Sequence, residues 1–143
     1  FVSARRAPQI PEPHPPVSHL PDSEFIEEVQ HRFDGIPEAI LRDAELLPLL
    51  LPGLRADFEI VESYHYRQEP PMDCPITAFG GFQDSDTLPL ELEAWQAQTR
   101  HRFRMKMFSG NHFFLQSAQT ELLQAVSAEL TTAISQVPKE GKR

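Results

Sequence analysis

The sequence predicts an α/β fold of about three parallel strands with flanking helices, and two segments carry that prediction. Residues 76–79 form a short apolar run between Pro75 and the pair Gly80-Gly81, as in a buried strand that ends in a turn. Residues 103–108 alternate apolar and basic side chains and also end in small residues. Because a helical pattern separates the two strands, we expect them to pair in parallel.

The length of 143 residues and the apolar content of 40% suit one domain with its own core. A further strand is predicted over residues 1–4, which are largely apolar. Residues 7–16 contain five prolines, which exclude a helix and favour an extended path over the surface. Such a run is either a stiff connection out of the sheet, which is the simpler interpretation, or a recognition peptide for a proline-binding module.

The segment from about residue 18 to residue 66 is predicted to be helical. Four short helices are expected there, each bounded by a capping residue, Pro or Gly: 22–34 with Asp22 as the N-cap, 37–41, 43–51, and a last helix after a break at Pro52-Gly53. Their apolar side chains are denser than one face of each helix can bury. Another surface must therefore cover them.

Two more helices are predicted in the last third of the chain. The first spans residues 88–100, with Leu92 and Trp95 facing inward. The second begins at a Ser117 cap and packs on the sheet through apolar residues at helical spacing: Leu122, Leu123, Val126, Leu130 and Ile134. Residues 138–143 are expected to fray.

Two polar side chains follow the predicted strands and define the candidate site. Asp84 comes after the Gly80-Gly81 turn, and His112 comes after the turn that ends residues 103–108. The carboxyl ends of parallel strands meet at one edge of a sheet, so Asp84 and His112 can meet there. A carboxylate that binds one imidazole nitrogen fixes the tautomer, and the other nitrogen then accepts a proton from a nucleophile. Asp and His at turns are also common as solvated loop residues, and spacing alone leaves both interpretations open.

Three stretches taken together resemble the C-terminal half of type II thioesterases, the stand-alone α/β-hydrolases that accompany nonribosomal peptide and polyketide synthases. They are Pro75-Ile-Thr-Ala-Phe-Gly-Gly-Phe-Gln-Asp84, Leu92-Glu-Ala-Trp95 and Phe108-Ser-Gly-Asn-His-Phe-Phe-Leu115. Shorter similarities at 3–8, 54–58 and 64–66 extend the resemblance over nearly the whole chain. It implies the C-terminal portion of an α/β-hydrolase fold, in which residues of about 18–66 form an inserted helical lid over an acyl channel.

The resemblance also implies a catalytic triad in the chain order Ser, Asp, His. Asp84 falls on the acid position, with Asp86 as the second choice, and His112 falls on the base position. Where the family usually has Gly-Gly-His, this chain has Gly110-Asn111-His112, and Asn tolerates a left-handed backbone. No Gly-x-Ser-x-Gly elbow occurs in the 143 residues, so we expect the serine to precede residue 1 or to lie on another polypeptide.

The function implied by the resemblance is hydrolysis of acyl thioesters held on the phosphopantetheine arms of acyl or peptidyl carrier proteins. Basic residues cluster once in this acidic chain, either as a docking patch for a carrier or as a solvated strand face: Arg100, His101, Arg102, Arg104 and Lys106. Three alternatives stay open: an esterase or lipase of the same fold, a non-catalytic acyl-binding or carrier-binding protein, and a remnant that does not fold because the edge at Phe1 stays unpaired.

Composition excludes several other classes. The net charge of −8 argues against binding to nucleic acids or to anionic membranes, which need a basic surface. The single Cys74 excludes an internal disulfide, fits a cytoplasmic protein, and is expected to be a small buried residue. His65 is expected to be a packing or surface histidine. Because no paired Cys/His spacing occurs, we expect neither a metal nor another cofactor.

Overall fold

Three parallel strands form the sheet of the computed structural model, which describes residues 1–33 and 35–136. The strands are β1 (Val2–Ser3), β2 (Ile76–Gly81) and β3 (Phe103–Phe108), in the spatial order β1-β2-β3. All six residues of β2 are buried, and the register pairs Ile76 with Phe103 and Gly81 with Phe108. The predicted α/β class with about three parallel strands is therefore confirmed. The tail predicted at 138–143 lies outside the described residues.

Helices flank this sheet, and several of them connect one strand to the next in the sequence. They are α1 (Asp22–Phe33), α2 (Glu38–Leu41), α3 (Leu46–Glu62), α4 (Pro89–Glu93), α5 (Phe114–Ser117) and α6 (Gln119–Gln136). Helices α1 to α3 all lie between β1 and β2, which are adjacent in the sheet. We call this segment, residues 17–66, the helical insertion.

Helix α3 corrects one prediction, because Pro52-Gly53 does not break it. A single helix runs from Leu46 to Glu62 with Pro52 inside. An interior proline removes a backbone hydrogen bond and costs about 3 kcal/mol. Here Leu51 is buried in the insertion, and Leu54 and Phe58 pack against the same cluster. Burial contributes about 1.5–3 kcal/mol for each large apolar side chain. Packing on both sides of the proline therefore outweighs the local signal to stop.

The helix predicted over residues 88–100 is also shorter than expected. It consists of α4 and a 3-10 helix over Ala94–Gln98. Leu92 is fully buried as predicted, whereas Trp95 is half-buried, and its indole N–H donates to the carbonyl of Arg5 at 2.8 Å. The indole thus lies at the edge of the packed surface, and the α-helix is replaced by a 3-10 helix from Ala94.

The predicted start of α6 differs from the observed one by a single residue, since the helix begins at Gln119. Ser117 ends the separate helix α5 and does not cap α6, and its hydroxyl donates to the carbonyl of Ser109 at 3.3 Å. Part of the predicted apolar stripe packs on the sheet, since Leu122 is buried there. Leu123 and Ile134 are 61% and 71% exposed. The sheet therefore covers only part of the apolar stripe of α6, and the rest of the stripe is exposed.

Two apolar clusters stabilise the fold, one on the sheet and one inside the insertion. The sheet cluster joins β1, β2 and β3 to the last two helices: Ala4, Phe79, Phe108, Phe114, Ala118, Leu122 and Ala125. The insertion cluster is separate: Val17, Phe25, Val29, Ile36 and Leu51. Because the insertion has its own core, its position over the sheet depends on a small number of contacts.

Arg55 of α3 fixes the beginning of α1. Its guanidinium donates to the carbonyl of Leu20 at 2.8 Å and to the carboxylate of Asp22 at 2.6 Å, and it lies 4.4 Å from the centre of the Phe25 ring. Asp22 is the first residue of α1, and the Phe25 N–H donates to the carbonyl of Pro21. Asp22 is therefore an ion-pair partner and not the N-cap that the sequence predicts.

Three surface features complete the fold. The proline-rich residues 11–16 are exposed and belong to no helix, as expected. Cys74 is exposed, so the prediction of a buried thiol is wrong; β2 begins only at Ile76, after Pro75. Within residues 1–33 and 35–136, the helices are too short or too polar to cross a lipid bilayer.

Glu62, at the end of α3, anchors the segment that enters the insertion. Its carboxylate accepts the N–H of Val17 at 2.7 Å and the N–H of Ser18 at 3.2 Å. Burial raises the pKa of Glu62, but the hydrogen bonds from Ser18 and Val17 and the charge of Arg32 together hold it below the ordinary value of 4.5. The ionised carboxylate is thus the form that stabilises the fold.

Replacing Glu62 with Gln is expected to lower the free energy of unfolding at pH 7 by about 1–2 kcal/mol, because two charge-assisted hydrogen bonds are weakened. Because the pKa of Glu62 is lower in the folded state, its carboxylate stabilises the fold fully above pH 4.5. This stabilisation is lost as the pH falls through the folded-state pKa. The difference between the two proteins in urea unfolding should therefore disappear on acidification. Glu59→Gln, an exposed change on the same helix, is the control and should have little effect. An equal effect of both changes would contradict this role for Glu62.

Candidate active site

Asp84 and His112 lie on two turns that follow β2 and β3 and that are bonded to each other. The N–H of Gln83 donates to the carbonyl of Gly110 at 2.9 Å. In return, the N–H of Gly110 donates to the side-chain oxygen of Gln83 at 2.5 Å. These reciprocal hydrogen bonds fix the spacing of the two turns. They arise because β2 and β3 are parallel neighbours whose carboxyl ends lie at one edge of the sheet.

Two glycines permit the close approach of these turns. A Cβ atom on Gly81 would lie less than 3.0 Å from the carbonyl oxygens of Gly110 and Asn111. Gly110 has a φ of +130°, a backbone conformation that residues other than glycine rarely adopt. The left-handed backbone that Asn111 would tolerate is not needed here, since Ala4 is the one non-glycine residue of positive φ among the described residues. Asn111 instead accepts the N–H of Phe113 on its side-chain oxygen at 2.9 Å.

The imidazole Nδ1 of His112 lies 3.0 Å from Oδ2 of Asp84. The Asp84 side chain is 1% exposed and that of His112 is 22% exposed. The second carboxylate oxygen, Oδ1, accepts the N–H of Asp86 at 2.9 Å and the N–H of Thr87 at 3.1 Å. With Nδ1 used by Asp84, the Nε2 atom of His112 is the one that can accept a proton.

The environment of Asp84 favours its charged form. Burial is the largest influence and raises the pKa of Asp84. The hydrogen bond from His112, the hydrogen bond from the N–H of Thr87, the charge of a protonated His112 and the N–H of Asp86 together outweigh it and hold the pKa below the ordinary value of 3.8. Asp84 is therefore an anion at neutral pH, as a residue that orients an imidazolium must be.

The helical insertion reaches the site through the end of α1. The ring of Phe33 lies 5.0 Å from the ring of His112, and the Phe58 ring lies 5.8 Å behind Phe33. A pocket of about 110 Å³ lies between Gln30 and Phe33 on one side and Asp84 and His112 on the other. Phe33 lies within the helix predicted over residues 22–34, and helical periodicity carries no signal for its contact with His112.

Asp86 does not contact His112 but pairs with the buried side chain of Arg6. The Nη2 atom of Arg6 donates to the carbonyl of Asp86 and lies 3.3 Å from its Oδ2 atom. Of the two candidates for the acid, the structure therefore places Asp84 beside the imidazole and Asp86 away from it. Sequence reasoning missed Arg6, whose only signal was its position next to the end of a strand.

The other residues singled out in the sequence lie elsewhere. Arg102 and Arg104 both pair with Glu129, at 3.2 Å and 2.5 Å, so the basic cluster is partly neutralised. His101 pairs with Asp73 at 2.7 Å on the surface. His65 is exposed. In the part of the chain that the structure describes, no three His, Cys, Asp or Glu side chains come together as a metal site would require.

Comparison with known proteins identifies one family. The family model for the thioesterase domain matches residues 1–130. Among curated proteins, the gramicidin S biosynthesis protein GrsT of Aneurinibacillus migulanus is 43% identical over 135 residues, which cover 94% of this chain and 52% of that protein. The protein named linear gramicidin dehydrogenase LgrE, of Brevibacillus parabrevis, is 42% identical over 91% of this chain and 50% of its own length.

A solved structure gives the same result for the fold. The RedJ thioesterase from the prodiginine biosynthetic pathway of Streptomyces coelicolor superposes with a TM-score of 0.81 at 34% identity. The match covers 90% of this chain and 51% of that one. The chain thus spans about half the length of the relatives that it matches.

Proposed function

We propose, since the chain belongs to the thioesterase family, that it supplies the acid, the base and the substrate-covering helices of an enzyme that hydrolyses acyl thioesters. The family membership confirms the resemblance of the three sequence motifs, and the α/β-hydrolase fold is shared over about half of the relatives' chains. One observation carries the proposal: the 3.0 Å hydrogen bond that joins His112 to a buried, charged Asp84 at the edge of a parallel sheet.

In this proposal, a serine outside these 143 residues is the nucleophile. His112 Nε2 takes the proton of the serine hydroxyl while the oxygen attacks the carbonyl carbon of the thioester. Asp84 stabilises the imidazolium that forms. Collapse of the tetrahedral intermediate breaks the carbon–sulfur bond, and the thiolate takes the proton from His112. Water then loses a proton to the same nitrogen and attacks the acyl-serine. As the bond to the serine oxygen breaks, His112 returns that proton to the serine, and the carboxylic acid leaves.

The proposed substrate is an acyl group on the phosphopantetheine arm of a carrier protein. One relative is named for gramicidin S biosynthesis and another, RedJ, belongs to a prodiginine biosynthetic pathway, and both support this class. Carrier proteins are acidic, so exposed cations on this acidic chain favour docking, and Arg100 and Lys106 are exposed. A carrier-bound substrate also agrees with the prediction of a cytoplasmic enzyme.

We further propose that the helical insertion acts as the lid, within a partial thioesterase domain that spans the chain. Two observations support this role: the insertion has its own apolar cluster, and it touches the site through the Phe33 ring. A unit with a separate core can move as a body over the sheet, as lids in enzymes do. Its apolar underside would then line the path of the acyl chain.

Thioester turnover by a chimera tests the proposal. The half of GrsT that this chain does not cover, which is expected to carry the serine, is joined to residues 1–143, and the chimera is given acetyl-loaded carrier protein and the matching oxygen ester. We expect hydrolysis of the thioester well above that of the ester, and inactivity of either half alone. A preference for the oxygen ester would instead assign an esterase. A folded chimera that binds the loaded carrier without turnover would assign a binding protein.

One relative is named a dehydrogenase, which concerns that protein. For this chain, the carboxylate–imidazole pair moves protons, and the family model is that of a thioesterase domain. Both observations favour hydrolysis as the proposed reaction.

A further inference from the structure

Arg6 is a buried cation next to the candidate site, and the proposed mechanism does not use it. Its side chain is 1% exposed, and carboxylates surround it. Its guanidinium lies 3.3 Å from Asp86, 3.4 Å from Glu12 and 3.9 Å from Glu91. Removing a guanidinium from water costs several kcal/mol, so it stays buried only where the surrounding charges and hydrogen bonds repay that loss. Asp86 is the partner with the least exposed carboxylate, at 8%.

The backbone that leads to Arg6 is itself held in an uncommon conformation. Ala4, which directly follows β1, has a φ of +45°, a conformation that costs an L-residue about 1–2 kcal/mol. Its N–H donates to the carbonyl of Phe79 at 2.9 Å, and its carbonyl accepts the hydroxyl of Thr87 at 3.2 Å. Strained residues of this kind persist where the surroundings fix them, often beside functional sites. The strain turns the chain so that Arg6 enters the space behind the acid turn, residues 84–87.

The acid turn connects Arg6 to the candidate catalytic pair. Asp84 accepts the N–H groups of Asp86 and Thr87 on Oδ1 and contacts His112 through Oδ2. Arg6 holds the same turn from behind, through both the carbonyl and the carboxylate of Asp86. The two buried carboxylates are two residues apart and have different partners, because Asp84 contacts His112 and Asp86 contacts Arg6.

We propose that Arg6 is a positioning residue, whose ion pair with Asp86 holds the acid turn so that Asp84 alone faces His112. This inference rests on the proposed function, because it assumes that Asp84 and His112 are the working pair. Without Arg6, the Asp86 carboxylate would remain buried with no close guanidinium, so it would either take up a proton or move toward solvent with the turn. A movement of the turn would withdraw the N–H groups of Asp86 and Thr87 from Asp84.

The charged groups around Asp86 make Arg6 its principal cation. Besides Arg6, His14 is the nearest basic side chain, with Nε2 at 3.9 Å from Asp86 Oδ1, and it is 44% exposed. Arg5 pairs with Glu12 at 2.5 Å. Glu12 and Glu91 are the other carboxylates that face the guanidinium, and both add negative charge. Neither of the remaining cations can replace Arg6 from inside the fold.

The test follows the titration of the Asp84 carboxyl carbon by NMR in the 143-residue chain, together with thermal unfolding. Arg6→Met should move the midpoint of the Asp84 titration upward, because the carboxylate loses backbone donors and gains an uncompensated neighbour. Arg6→Lys should restore part of the shift. The double variant Arg6→Met with Asp86→Asn should restore most of it, because both charges are then absent. Arg5→Met, a change at the half-exposed neighbour, should leave the midpoint in place.

Two results would overturn the inference. One is an unchanged Asp84 midpoint in folded Arg6→Met, whatever its melting temperature, since Arg6 would then stabilise the fold without positioning the acid. The other is a double variant that shifts as far as the single one. If Arg6→Met does not fold, the comparison of Arg6→Lys with the double variant decides the question in the same way. The readout involves no turnover, so a failure of the chimera to hydrolyse thioesters counts against the proposed function and not against this coupling.

Discussion

His112→Ala is expected to lower thioester hydrolysis by the chimera by about 10⁴-fold or more, to the rate that substrate binding and carbonyl polarisation alone support. Without the imidazole, the serine hydroxyl has no base, so the acyl-enzyme does not form. Asp84→Asn keeps the shape of the acid but removes the charge and favours the wrong tautomer of His112, and a loss of about 10⁴-fold is expected. Both losses should appear in kcat, with the affinity for loaded carrier unchanged.

The chain offers a matched control for this experiment. His101 and Asp73 form a second His–Asp pair at 2.7 Å, but their side chains are 51% and 85% exposed. An exposed pair of this kind contributes about 0–1 kcal/mol and touches no part of the candidate site. His101→Ala and Asp73→Asn should therefore leave the kcat of hydrolysis within about two-fold of the parent, a free-energy difference below 1 kcal/mol. Similar losses at both pairs would remove the basis for assigning catalysis to Asp84 and His112.

Gly81→Ala is expected to lower the free energy of unfolding by about 3 kcal/mol and to abolish hydrolysis by the chimera. The added Cβ would meet the carbonyl oxygens of Gly110 and Asn111, which are backbone atoms and cannot rotate away. The turn that carries Asp84 and the turn that carries His112 must then separate, and the hydrogen bond between these two residues is lost. Urea unfolding and turnover, measured on the same protein, check the two effects.

Gly53→Ala is the matched glycine control. Gly53 lies inside α3, and apart from its chain neighbours and the backbone of that helix, no atom lies within 4 Å of the Cβ that alanine would add. Alanine in a helix interior is favoured over glycine by about 0.5–1 kcal/mol, so this variant should be slightly more stable and fully active. A Gly81→Ala protein with wild-type stability and turnover would show that the two turns do not depend on their close approach.

The candidate site was predictable from the sequence because each of its parts has a local signature. Small residues close the strands β2 and β3, and a carboxylate and an imidazole follow at the ends of those strands. Parallel pairing then brings these ends together, which is a property of the topology and not of side-chain detail. The choice of Asp84 over Asp86 rested on the resemblance to type II thioesterases, and the structure shows Asp84 beside the imidazole.

What the sequence could not predict depends on contacts between distant segments. Pro52 is a local signal for the end of a helix, but the packing of Leu51 and Phe58 overrides it. Phe33 has the periodicity of a core residue, and nothing in that pattern distinguishes contact with His112 from contact with Phe58. Arg6 and Asp86 are 80 residues apart, so their pairing leaves no trace in the spacing of either.

The location of the acyl group in the trapped intermediate decides whether His112 serves a serine on the other half of the enzyme. The chimera is mixed with acetyl-loaded carrier protein, quenched in acid within milliseconds, and digested for mass spectrometry. We expect an acetyl group on a serine of the half contributed by GrsT, and the loss of that adduct in His112→Ala. An acetyl group on a residue within 1–143, such as Ser109 or Cys74, or an adduct that forms equally well without His112, would contradict this mechanism.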